Sequence, residues 1–232
     1  MNALTHAKEV IASVSQKTDR AILFFSAGKD SIILLDLMAP YFKEIVCVFM
    51  YFVKDLEHIE RYLKWAEGRY GCKMIQVPHW NLTYLLRSGT YCVPNPKVKL
   101  MKLSDVDKSV KLKTGIEYSF FGMKKGDSLN RRLMMMSSGS VIGDKVYPLS
   151  EMTNKEVLAY MKQKRLPMPV RYSDKASGGV GFNSDCFLWM QKHAPQDLQK
   201  ILKAFPLSEK ILIDYNQHID LMIKKLGYGK EN

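Results

Sequence analysis

Phe24-Phe25-Ser26-Ala27-Gly28-Lys29-Asp30-Ser31 lies between a short apolar run, Ala21 to Phe25, and a longer one, Ile32 to Met38. The order reads as buried strand, tight glycine turn and helix start. A turn of this kind aims several free backbone N–H groups and the positive end of a helix dipole at one spot. Ser26 and Ser31 add hydroxyls and Lys29 a mobile cation, so the arrangement suits a phosphate or pyrophosphate. It is not the ordinary P-loop, which needs glycine five residues before the Gly-Lys pair and Ser or Thr directly after it. Leu23 and Asp30 occupy those two positions. Without a ligand, the same residues would simply make a capped turn.

Working outward, strands are expected near Ala21 to Phe25, Ile45 to Met50 and Lys73 to Val77. Helices are expected between them, from Asp30 to Ala39 and from Leu56 to Tyr70, the second ended by Gly71. The middle strand is apolar throughout, as a parallel strand covered on both faces should be. Strand–helix alternation of this kind predicts a doubly wound, mostly parallel α/β sheet with flanking helices. Leu4, Ala7, Ile11 and Val14 mark an opening amphipathic helix. Ser88 to Thr114 reads as a loose loop in which Ser104 to Asp107 cap a short helix. Ile116 to Phe121 and Lys145 to Tyr147 are further strand candidates, Met134 to Met136 fall inside a helix, and Thr153 to Lys164 form another. Tyr172 to Asn183 reads as a mobile Gly/Ser loop, and two helices close the chain. Ile211, Tyr215, His218, Met222 and Leu226 are expected as the buried stripe of the last.

At 232 residues, 47% of them hydrophobic and 25% charged, the chain suits one nucleotide-binding domain over 1–232. Its α/β core would cover about 1–150, and a mainly helical extension about 151–232. No apolar run reaches the ~20 residues of a membrane helix, and His6, Lys8 and Glu9 break any secretory signal at the start. Four cysteines without a CxxC pair signal neither a disulfide framework nor a zinc site, so no metal ligand is assigned. The expected setting is cytoplasmic, without a membrane partner. The net charge is +12, and Arg87 to Arg132 carry +7 of it. That segment either steers a polyanion, nucleic acid or protein partner, or is a solvated lysine-rich surface.

Ser26-x-Gly28-x-Asp30-Ser31 after a buried strand resembles the PP-loop of ATP pyrophosphatases and phosphoadenosine phosphosulfate (PAPS) reductases, in the adenine nucleotide alpha hydrolase-like superfamily. Gly122-Met123-Lys124 followed by Ser128 and Arg131 resembles that family's Gly-hydrophobic-Arg, Ser, Arg segment. Tyr147-Pro148-Leu149 through Thr153 to Val157 resembles its Pro-Leu motif. The likeness covers roughly residues 20–190, with Lys124 in place of the usual Arg and Met152 in place of the usual Trp. The family's reductases also carry a cysteine motif near the C-terminus, whereas Leu226 to Asn232 hold none.

The resemblance implies a nucleotide over the carboxyl ends of the strands. Ser26, Ala27, Gly28, Lys29, Asp30 and Ser31 would bind its phosphates, and the backbone of Phe49 and Met50 the base. Gly122, Lys124, Ser128 and Arg131, with Arg132 beside them, would form a second anion site. Lys29, Lys124 and Arg131 are the candidate catalytic cations, with ATP or PAPS as the nucleotide and Mg²⁺ accompanying it. Asp30, acidic beside a phosphate, would orient Mg²⁺ or cap the helix. The implied reaction is attack of a substrate oxygen on the α-phosphorus of ATP, with pyrophosphate leaving into the loop. The alternatives are sulfonucleotide reduction through Cys186 or a partner's thiol, and a nucleic-acid-modification component or nucleotide sensor. Cys186, followed by Phe187, Leu188 and Trp189, reads better as a buried core cysteine, His79 and His193 read as structural, and a homo-oligomer is compatible with the pattern.

Overall fold

The computed structural model describes residues 2–173 and 179–225. The chain opens with α1 (Ala3–Ser15), then alternates β1 (Arg20–Phe24), α2 (Lys29–Met38), β2 (Glu44–Tyr51), α3 (Glu57–Tyr70) and β3 (Lys73–Pro78). Two helices follow, α4 (Leu82–Ser88) and α5 (Leu103–Thr114), before β4 (Ser119–Phe121). Next come α6 (Leu129–Ser138), β5 (Val141–Ile142), β6 (Lys145–Val146) and α7 (Asn154–Gln163). The described chain ends with α8 (Ser184–His193), α9 (Pro195–Ala204) and α10 (Lys210–Lys225).

The strands form one sheet in the order β3-β2-β1-β4-β6-β5, parallel throughout except for the β5–β6 pair. Alternate residues of the central strands face opposite layers, as the two-residue strand period requires. Ala21, Leu23 and Phe25 pack with α1, α2, α3 and α7 on one face. Ile22 and Phe24 pack with Val106 and Val110 of α5 and Met135 of α6 on the other. The sheet is therefore doubly wound. Its strand order reverses between β1 and β4, which places the Ser26–Lys29 turn and Gly122 side by side at the carboxyl ends.

The first eighty residues follow the expected pattern to within a residue or two, and Gly71 takes the left-handed φ of +64° that ends α3. Three expectations fail. The Ser88–Thr114 segment is loose only to Lys102: from Leu103 α5 runs twelve residues. Ser104 does not cap it; the Asp105 carboxylate accepts from the Lys102 N–H at 2.8 Å instead. Three α-helices rather than two end the described chain, because Pro195 starts a new helix directly after α8.

The stripe on α10 is also not buried. Ile211 packs on the core, but Tyr215 is 36% exposed, Met222 46% exposed, and His218 is also exposed. This helix carries apolar side chains on several faces, and among the described residues it meets the body chiefly through α8 and the 206–209 turn. Leu226, and residues 174–178 of the expected Tyr172–Asn183 loop, lie outside the described residues. Among the described residues no helix is long and apolar enough to cross a membrane.

Candidate nucleotide site

The β1–α2 turn is held open by its own side chains. Ser31 is buried; its hydroxyl donates to the Gly28 carbonyl at 2.9 Å and accepts from the Ser26 N–H at 3.2 Å. It therefore braces the turn from beneath, while Ser26, exposed and lining the cavity, turns its hydroxyl back to accept from the Gly28 N–H at 3.4 Å. Ala27 sits at φ +56°, a left-handed conformation that costs a residue with a Cβ about 1–2 kcal/mol. The twist turns the following backbone outward: among the described residues, no protein acceptor takes the N–H groups of Ala27, Lys29 or Asp30. These are the orphan donors of a helix start, reinforced by the dipole of α2.

Asp30 neither caps α2, whose N-cap is Gly28, nor stands free for a cation. Its carboxylate pairs with Lys29 at 2.9 Å and with Lys124 at 2.6 Å. Lys124 is only 1% exposed, and its Nζ also lies 3.3 Å from Asp127. Its approach to Asp30 is off the line a hydrogen bond needs, so the ammonium is buried without a well-directed acceptor. Gly122 makes the arrangement possible. A Cβ there would come within 3.2 Å of the Asp30 backbone, so a side chain would wedge the two loops apart.

The second cluster is organised around Asp127. Arg131 pairs with it at 2.7 Å, and the Ser128 hydroxyl caps α6 by accepting from the Arg131 N–H. Burial would raise the Asp127 pKa, but the Lys124 backbone N–H and the two cations hold it below the usual carboxylate range. The structure thus joins Gly122 and Lys124 to the first loop through Asp30. It leaves Ser128 and Arg131 beside them at the start of α6, away from the cavity lining.

A cavity of about 320 Å³ opens at the carboxyl ends of β1 and β2. Its wall takes in Ser26, Ala27, Gly28, Lys29 and Asp30 at one end and Phe49 and Met50 beside them. His79, expected to be structural, lines it too, stacked on Phe52 at 4.5 Å. Its Nδ1 accepts the Asn81 N–H, and burial lowers its pKa. The inferred motifs missed a third wall, made by Tyr62, Pro169, Val170 and Tyr172. Tyr62 lies more than a hundred positions from the other three, so the group carries no spacing signal. Among the described residues, no cluster of three or more His, Cys, Asp or Glu side chains is placed to hold a metal ion.

All four cysteines are free thiols and none lines the cavity. Cys186 is fully buried, and burial pushes its pKa up to about 11. The Cys47 and Cys72 thiols interact inside the fold, which raises the pKa of the first and lowers that of the second. Cys72 precedes β3, at the end of the sheet opposite the cavity.

A doubly wound sheet with a helix-start cradle at its switch point defines a nucleotide-binding α/β protein. The chain belongs to the phosphoadenosine phosphosulfate reductase domain family, whose model matches residues 20–175, two-thirds of its length. No curated protein matches the chain. Among solved structures it is similar to the U34-tRNA thiolase NcsA from Methanococcus maripaludis, solved with its 4Fe–4S cluster. That match has 15% identity and a TM-score of 0.48, covering 89% of this chain and 79% of the other. It is also similar to a phosphoadenylyl-sulfate reductase from Candida auris in a phosphate complex, with 13% identity and a TM-score of 0.48, over 70% of this chain and 81% of that one.

Proposed function

We propose that the chain binds ATP in the β1–β2 cavity and cleaves it between the α- and β-phosphates, adenylating an acceptor and releasing pyrophosphate. The observation that carries this reading is the pairing of an open amide cradle with a cavity that no cysteine lines. Sulfonucleotide reduction needs a thiolate to attack sulfur. Within these 232 residues the cysteines are buried or, for Cys92, half-buried and turned to the Leu85 carbonyl.

In the proposed complex the N–H groups of Ala27, Lys29 and Asp30 hold the β- and γ-phosphates as a unit, which makes pyrophosphate the natural leaving group. Lys29 would follow the departing charge, with Lys124 adding positive field from beneath through Asp30. Arg131 would contribute from the rim only by leaving Asp127. Phe49 and Met50 offer backbone edges to the base. The donor set does not suit a resident Mg²⁺, since Asp30 is already flanked by two lysines. Mg²⁺ would arrive as the nucleotide's counter-ion. The acceptor is a nucleophilic oxygen, and the basic Arg87–Arg132 segment is the surface we assign to a polyanionic acceptor or partner.

The test is to incubate the protein with MgATP and candidate acceptors and identify the phosphate product. Pyrophosphate with an adenylated acceptor supports the reading, whereas orthophosphate alone contradicts it. The family's reductase chemistry would instead appear as sulfite from PAPS in the presence of a thiol reductant, lost in a Cys186→Ser variant.

A further inference from the structure

A hydrogen-bonded chain of three side chains, two of them buried, runs from behind the cavity to its wall. Asp197 at the start of α9 and His58 at the start of α3 are 1% and 5% exposed. The Asp197 carboxylate takes the N–H groups of Glu57 and His58 at 2.9 and 3.0 Å, so it caps α3 from a distant part of the sequence. One of its oxygens also meets His58 Nδ1 at 2.6 Å. His58 Nε2 in turn meets the Tyr172 hydroxyl at 2.7 Å, and Tyr172 lines the cavity. Trp189 packs against both rings and closes the chain from above.

With an ionised carboxylate at one end and a neutral imidazole in the middle, the protons along this chain fall into one arrangement. An ionised carboxylate can only accept, so His58 carries its proton on Nδ1. Burial would raise the Asp197 pKa, but the bonds from His58 overcome this and keep it below the usual range. Burial lowers the His58 pKa, so the ring is neutral near pH 7 and Nε2 is bare. The Tyr172 hydroxyl must then donate to Nε2, and burial raises its pKa so that it stays a phenol. Its one proton is committed inward. Only lone pairs remain for anything in the cavity.

We propose that Tyr172 is a specificity-determining residue of the nucleotide cavity, presenting a hydrogen-bond acceptor to a donor group of the ligand, with His58 and Asp197 as the positioning residues that hold this polarity. The inference rests on the nucleotide reading above and deepens it. The ligand group is an N–H or O–H donor, supplied either by the exocyclic amine of adenine or by a ribose hydroxyl. A 6-oxopurine would set an acceptor against an acceptor in the first case, and a buried mismatch of that kind rejects strongly.

Calorimetric titration of ATP, ITP, 2′-deoxy-ATP and 3′-deoxy-ATP into the full chain and its Tyr172→Phe variant tests this. The variant should lose about five- to tenfold in ATP affinity, the worth of one hydrogen bond. If ITP affinity is unchanged by the substitution, the donor is the amine. If ITP affinity falls as well while one deoxynucleotide is unaffected, the donor is the missing hydroxyl. His58→Leu, checked for folding by circular dichroism, should reproduce the Tyr172→Phe selectivity pattern, and the double variant should add nothing to it. A merely structural role would lower all four affinities together, and that result overturns the proposal. A Tyr172→Phe variant equal to wild type on all four also overturns it, leaving the nucleotide site intact. A wild-type protein that binds none of the four overturns the site reading and this inference with it.

Discussion

Lys124 is the residue most exposed to a single change. It is a buried ammonium held between Asp30 and Asp127, and removing one partner of such an arrangement leaves charge uncompensated out of water. Lys124→Met should therefore destabilise the chain by about 3 kcal/mol in urea unfolding, even though Met fills much of the same volume. It should also weaken nucleotide binding, because Asp30 would then face the phosphates with Lys29 as its one cation. An unchanged unfolding midpoint would mean that the Lys124 slot is hydrated. His58 and His79 add a pH signature. Burial lowers both pKa values in the fold, so below about pH 6.5 the unfolded chain binds protons that the folded chain does not. Stability therefore falls on acidification. The melting temperature should drop between pH 7 and pH 5, and the drop should be shallower in His58→Gln. A melting temperature flat across that interval would contradict the neutral assignment of both rings.

At the scale of elements, the strand–turn–helix unit was legible because its determinants are local. An apolar run, a glycine and a helix start lie within fifteen residues, and each obeys a short-range rule. Gly122 was legible only through resemblance. Its physical reason is the approach of the β4 loop to the start of α2, which appears once β4 pairs with β1. Gly122→Ala should push that helix start by a few tenths of an ångström. We expect a stability loss of about 1–2 kcal/mol, with a larger proportional loss in ATP affinity, read by melting curves with and without nucleotide. Equal losses of stability and affinity would place the effect in general packing. The α10 stripe shows the opposite case. Three- and four-residue spacing identified a helix correctly, but apolar residues on several faces gave no basis for choosing the buried one. The Asp197–His58–Tyr172 chain was invisible, since its members are 139 and 114 positions apart and meet only when three elements converge.

At the scale of the whole molecule, sheet order converts local motifs into a site. Parallel pairing of β1 with both β2 and β4 brings the first turn, the end of β2 and Gly122 to one edge. Chain segments far downstream then close the cavity. The basic segment is partly consumed by this folding. Lys111, Lys124, Lys125 and Arg131 form ion pairs with carboxylates, and among them Lys111–Asp144, Lys124–Asp30 and Lys125–Glu151 tie α5 and the loop before α6 to the rest of the fold. A general excess of charge therefore says less about a partner than the composition suggested. The cradle itself is tested most directly by comparing affinities for ATP, AMP and inorganic pyrophosphate in one titration series. If the amides of Ala27, Lys29 and Asp30 grip the terminal phosphates, ATP should bind at least tenfold more tightly than AMP, and pyrophosphate should compete with it. Equal affinity for ATP and AMP, with pyrophosphate indifferent, would contradict the account.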